Sequence, residues 1–212
     1  MKKLSLNKIF AYLLLSVIIF GCASFPKKKS PSISYINSNN IYLLEGTYSI
    51  KHSSSVYSKD SVLDMSFVNE DNNQYLTLFD EINNGVFVKR LEVNSLKSYK
   101  FSLKILSTKR IQINYLEDDS LIRRNKIRYK LKEEGYVNLK HRNFKIIGIP
   151  YVMGGFKTKR KRLALTKDND LLFETSEFTT GGVFYPAFIV PAINFGSKTK
   201  YKKIYQRINQ DM

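Results

Sequence analysis

Tyr99-Lys100-Phe101-Ser102-Leu103-Lys104-Ile105 alternates apolar and polar residues without a break, and Arg110-Ile111-Gln112-Ile113-Asn114-Tyr115 resumes the alternation five residues later. A period of two puts every apolar side chain on one face of an extended chain, so the two runs predict half-buried strands joined near Ser107-Thr108. After the acidic turn Glu117-Asp118-Asp119 the same period returns, with Ile127, Tyr129 and Leu131 facing inward. A turn at Glu134-Gly135 then leads into Tyr136, Val137 and Leu139. A helical reading is strongest over residues 121–134, yet the apolar residues there fit a spacing of two better than spacings of three and four.

Two further hairpins are predicted. Asn84-Gly85 would join Tyr75–Phe79 to Val86–Leu91, and Asp168-Asn169-Asp170 would join Arg162–Leu165 to Leu171–Phe173. Strands at intervals of about 8–12 residues with polar turns imply an all-β fold, an antiparallel barrel or sandwich. The β pattern starts at Ile41 and shows no internal boundary, so residues 41–212 are expected to form a single domain.

The chain begins with Lys2, Lys3 and Lys8, an apolar run from Ile9 to Phe20, and then Gly21-Cys22-Ala23-Ser24. This is the order of a secretory signal, and about 18 Å of apolar helix falls short of a hydrocarbon core of roughly 30 Å. Ile19-Phe20-Gly21-Cys22 resembles the lipobox of bacterial lipoproteins. The resemblance implies that residues 1–21 are removed as a signal peptide and that Cys22 carries acyl chains. It also implies outer-membrane sorting, because Ala23 follows the cysteine, and a periplasm-facing domain, because no acidic run follows. Residues 22–40, rich in Pro, Ser, Asn and Lys, are expected to form a flexible tether. Cys22 is the only cysteine, so no internal disulfide can form.

Leu44-Glu45-Gly46-Thr47-Tyr48 resembles the opening strand of lipocalin-type barrels, in which a glycine, any residue and an aromatic occur in that order. Tyr205-Gln206-Arg207-Ile208 is similar to the closing strand, whose arginine lies over that aromatic. The resemblance implies a barrel with an interior ligand cavity, for which Phe101, Ile113 and Tyr129 are candidate lining residues. The family usually has Trp where this chain has Tyr48, and the chain contains no Trp.

Three of the 35 basic residues and none of the 18 acidic ones precede Cys22, which leaves a net charge of +14 on residues 22–212. Such a charge serves solubility or attracts anionic partners, and names neither. Arg124, Lys126, Arg128, Lys130 and Lys132 fall on every second position of one predicted strand. Successive members would stand about 6.6 Å apart on one face, a spacing suited to phosphates or carboxylates. A second cluster includes Lys159, Arg160 and Arg162. Together they are candidates for binding anionic lipid, lipopolysaccharide or acidic glycan, and equally describe a solvated outer face.

The most apolar stretch after the leader runs from Val183 to Ile193, interrupted by Pro186 and Pro191. Phe184, Tyr185, Phe188 and Ile189 are its candidate contact residues. They describe either a loop that docks on a partner or the bilayer surface, or an edge strand covering the core.

No catalytic, cofactor or metal motif is found. His52 and His141 lack metal-ligand spacing, and Asp168-Asn169-Asp170 is followed by Leu172 where a calcium loop needs an oxygen ligand and by Thr179 where it needs a glutamate. The expectation is a non-catalytic envelope lipoprotein that binds an apolar or anionic molecule. An assembly component of an outer-membrane complex is the alternative and a hydrolase ranks last. Export argues against nucleic acid as a partner.

Overall fold

The computed structural model describes residues 25, 32–61, 77–83, 91–132, 135–149, 153–185 and 188–208. They form an all-β, antiparallel fold of eleven strands in one sheet. The strands are β1 (Ile33–Ser34), β2 (Gly46–Ser49), β3 (Ser54–Ser61), β4 (Tyr99–Ser107), β5 (Arg110–Glu117), β6 (Ser120–Leu131), β7 (Val137–Ile149), β8 (Met153–Thr166), β9 (Leu171–Tyr185), β10 (Phe188–Tyr205) and β11 (Arg207–Ile208). A 3-10 helix (Ile41–Leu44) precedes β2, and a short helix α1 (Leu78–Asn83) lies between β3 and β4.

From β4 to β10 each strand pairs with the next, across connections of only a few residues. Asp118 and Asp119 take left-handed conformations between β5 and β6, and Asn169 does so between β8 and β9, where short polar side chains tolerate them.

The hydrogen-bonded path runs β11-β2-β4-β5-β6-β7-β8-β9-β10-β3, and its end strands do not pair with each other, so among the described residues no ladder closes the sheet into a barrel. Chain continuity still brings the ends together. β11 follows β10 after Gln206 alone and pairs with β2, while β10 pairs with β3. The sheet therefore rolls around one interior. Phe101, Leu103, Ile111, Ile113, Tyr115, Ile127, Tyr129, Leu163, Leu165, Phe173 and Tyr205 are buried there in one cluster. The alternation seen in the sequence is what places them on the inner face.

Two expectations fail locally. The hairpin at Asn84-Gly85 is replaced on its first side by α1, because Thr77 caps the helix. The Thr77 hydroxyl accepts from the Asp80 amide at 3.3 Å, and the Asp80 carboxylate accepts from the Thr77 hydroxyl at 2.9 Å. The turn itself lies outside the described residues, and Leu91 is not in a strand. The folded domain also starts before Ile41. Ile33 and Ser34 pair with Thr166 and Leu165 of β8, and Ile36 is fully buried in the core. Part of the expected tether is thus docked.

Candidate anion-binding face and the charged interior

β6 separates its two faces as the alternation requires. Ile127 and Tyr129 are buried, whereas Arg124, Lys126, Arg128 and Lys130 are exposed, and Lys132 is exposed just beyond the strand. On the neighbouring β5, Asn114, Gln112 and Arg110 stand opposite Arg124, Lys126 and Arg128. On β7, Asn138 stands opposite Lys130. Lys104 of β4 extends the row beyond Gln112.

Arg110 and Arg128 are like charges placed directly across a ladder, an arrangement that costs rather than stabilises. Arg124 Nε donates to Asn114 Oδ1 at 3.2 Å. Among the described residues no carboxylate forms an ion pair with Arg110, Arg124, Lys126, Arg128 or Lys130; the nearby Glu117 and Asp119 pair with Lys97 and Lys100. The face is therefore a band of uncompensated positive charge on a rigid sheet, with amide groups between the cations.

The second basic cluster does not join it. β7 lies between β6 and β8, and the residues of β8 alternate between the two sides of the sheet. Lys157, Lys159 and Lys161 share the inner face with Leu163 and Leu165. Lys159 pairs with Glu177 of β9 at 2.8 Å and Lys157 pairs with the same carboxylate. Burial alone would raise the Glu177 pKa, but Lys159 and Lys157 outweigh it and hold the carboxylate below the usual value.

Arg160 and Arg162 lie on the outer side. Arg162 is nevertheless buried, with its Nε 2.6 Å from Glu174 Oε2 and its guanidinium 3.5 Å from the Tyr136 ring centroid and 4.2 Å from that of Phe25. Its charge is fully engaged within the protein. Among the described side chains singled out from the sequence, those of the β6 stripe stand exposed together on one surface.

The interior holds charges that the sequence did not announce. Helix α1 packs into the core through Leu78, Phe79 and Ile82, with the Phe79 ring edge-on to Tyr115 at 5.1 Å. Lys203 of β10 donates to Glu81 at 2.5 Å, and Lys161 donates to the Ile82 carbonyl at 2.7 Å. Burial, reinforced by Lys159, lowers the Lys161 pKa to about 7. Asp80 also accepts from the Leu91 amide at 3.0 Å, which leaves it a structural cap. The pattern Thr77-x-x-Asp80 was the available signal for this helix.

His52 lies in the turn between β2 and β3, edge-on to Tyr205 at 6.3 Å, and burial together with Lys203 lowers its pKa. Phe101 and Ile113 are completely buried and Tyr129 nearly so; all three belong to a packed core. Among the described residues no group of three His, Cys, Asp or Glu is placed to hold a metal ion, and no helix is long and apolar enough to cross a membrane.

Phe184 and Tyr185 end β9, and Phe188 and Ile189 begin β10. All four residues belong to strands. Tyr185 is paired with Phe188 and Phe184 with Pro191, and the proline is accommodated where the register shifts on either side of it. The side chains of these residues, like Cys22 and the leader, lie outside what the structure describes.

No family model matches this chain, and no curated protein or solved structure does so either.

Proposed function

We propose that the protein is a cell-envelope lipoprotein, held at the outer membrane by acyl chains on Cys22, whose periplasm-facing β domain binds an anionic envelope molecule without catalysing a reaction. The observation that carries the binding reading is the row Arg124, Lys126, Arg128 and Lys130, exposed, without a carboxylate partner among the described residues and flanked by Arg110. Repulsion within such a row is relieved when phosphates or carboxylates lie along it, so the ligand class is a lipid headgroup, lipopolysaccharide or acidic glycan. A packed core lined by Phe101, Ile113 and Tyr115 supports a surface site over an apolar ligand held inside.

The test separates anchor from ligand. Full-length Cys22→Ser protein, unable to be acylated, is titrated with phosphatidylglycerol vesicles and with lipopolysaccharide, alongside the same chain carrying Lys126→Glu, Arg128→Glu and Lys130→Glu. At about 1 kcal/mol for each basic residue near an anionic surface, the reversals should weaken binding by about a hundredfold or more. Equal binding by both chains would remove the assignment. Mass spectrometry of protein from its native cells, showing the leader retained or the Cys22 thiol bare, would remove the anchor.

A further inference from the structure

Residues 22–40 read as a flexible tether, yet the chain is fastened to β8 at two places within that stretch. The first is Phe25. Its half-buried ring lies 4.2 Å from the guanidinium carbon of Arg162, which also meets the Tyr136 ring at 3.5 Å and pairs with Glu174. A guanidinium held by a carboxylate still presents its planar face, and an aromatic ring laid on that face shields it from water. The second fastening is at Ser32–Ser34. The Lys167 amide donates to the Ser32 carbonyl at 3.3 Å, and Ile33 and Ser34 pair with Thr166 and Leu165.

Covalent geometry then limits the distance between Cys22 and the domain. Three residues of advance separate Cys22 from Phe25, and fully extended they span no more than about 11 Å. If Phe25 left its seat, the next fastening would be Ser32, and the same reach would grow to about 35 Å. A headgroup layer is about 5–8 Å thick, and the attraction of its charges fades within a Debye length of about 8 Å. Seating Phe25 therefore decides whether cations near Arg162 feel a leaflet in which Cys22 is anchored.

The register places such cations there. Lys130 of β6 stands opposite Asn138 of β7, and Asn138 stands opposite Arg162. Two strand spacings put Lys130 about 10 Å from Arg162 on the outer side of the sheet. From Lys130 the exposed row continues along β6 through Arg128 and Lys126 to Arg124. The seat of Phe25 and the β6 stripe are thus adjoining parts of one outer surface, positive along its length and tied at one end to the acylated residue.

We propose that Phe25 clamps the domain onto the leaflet that holds the acyl chains, so that the anionic partner of the β6 stripe is the headgroups of that same leaflet. This assignment rests on acylation of Cys22 and on the binding reading of the stripe, and adds to them the clamp and the choice of partner. Reach and charge act together: the clamp brings the stripe within a Debye length, and the stripe then lays β6 along the surface.

Acylation consumes the only thiol of the chain, so an introduced cysteine is a single labelling position. Lys140→Cys, exposed two residues beyond Asn138, reports the seat. Leu121→Cys, 47% exposed at the start of β6 and about 30 Å along the strand from Lys130, reports the stripe. Ile208→Cys, 39% exposed on β11 and five strands along the sheet from β7, is the control. Full protein, with acylation verified by mass spectrometry, is labelled with bimane and reconstituted into vesicles containing a lipid with a nitroxide on its headgroup.

In phosphatidylcholine vesicles the Lys140→Cys label should lose most of its emission to the nitroxide and the other two labels little. Phe25→Ser should restore that emission and Phe25→Tyr should not. With phosphatidylglycerol added, the Leu121→Cys label should be quenched as well, and Lys126→Glu, Arg128→Glu and Lys130→Glu together should reverse this. Circular dichroism checks that each variant is folded. Equal quenching at Lys140→Cys with and without Phe25 overturns the clamp. Emission at Leu121→Cys that ignores phosphatidylglycerol or the charge reversals overturns the choice of headgroups. The stripe's binding reading survives that second failure if the same reversals still weaken lipopolysaccharide binding by the Cys22→Ser chain, and falls with it if they do not. A bare Cys22 thiol removes both.

Discussion

Arg207 lies over the ring of Tyr48, its guanidinium carbon 5.3 Å from the ring centroid, and donates to the phenol oxygen at 2.8 Å. The same guanidinium donates to the Leu43 carbonyl, and Tyr48 donates to the Leu44 carbonyl at 2.9 Å. One arginine on β11 thus ties down the 3-10 helix and β2, at the place where the two ends of the sheet meet. Gly46 makes room for it, since a Cβ there would sit 3.2 Å from the guanidinium carbon.

Arg207→Ala should therefore destabilise the domain by about 2–3 kcal/mol, the scale of charge-assisted hydrogen bonds plus a cation over a ring. Arg207→Lys should recover only part, because an ammonium cannot reach both acceptors with planar geometry. Urea unfolding of the three chains decides this, and equal midpoints would show that the contact contributes nothing.

Lys161 is protonated in the unfolded chain up to about pH 10 but only up to about pH 7 in the folded one. Between those values the unfolded state binds more protons, so this group makes stability rise with pH. Below about pH 7 its full penalty is present. Lys161→Met should raise stability by about 1–4 kcal/mol at pH 6, and the gain should shrink steadily as pH approaches 10. Thermal unfolding at pH 6, 8 and 9.5 reads the trend; a gain independent of pH would contradict it.

Gly155→Ala and Gly196→Ala form a matched pair. At Gly155 the new methyl would meet the Thr180 carbonyl oxygen at 2.2 Å, so backbone must move and about 1–3 kcal/mol is lost. At Gly196 the nearest atom is 3.8 Å away, an ordinary contact, and alanine should be neutral or mildly stabilising. Denaturation midpoints compare the two directly.

The Arg162 and Glu174 side chains are each 4% exposed and pair with each other. Removing one partner, as in Glu174→Gln, leaves a buried charge less compensated and should cost about 3–5 kcal/mol. Arg162→Met with Glu174→Leu should cost clearly less than the two single losses added together. A double-mutant cycle measures the coupling, and additive losses would mean that the pair is not energetically linked.

The local pattern of the chain determined the strands and most of their turns. Alternation at Tyr99–Ile105, Arg110–Tyr115 and Arg124–Lys132 is a property of consecutive residues, so it set which side chains were buried and left the β6 cations on the outside. The pairing of Arg207 with Tyr48 was anticipated only through the resemblance of those two short segments to the opening and closing strands of lipocalin-type barrels. Tertiary structure alone decided the rest. Alternation does not say which side of β8 is the interior, and so Lys161 entered the core while Arg162 was buried outside it against Glu174, Tyr136 and Phe25. Nor does it say which strand ends meet. Register and the rolling of the sheet joined Ile149 and Met153 to Val183 and Ile193, and docked Ile33 and Ile36 on strands far away in sequence. Pairing between distant segments depends on how the whole sheet rolls up, which no single window of residues encodes.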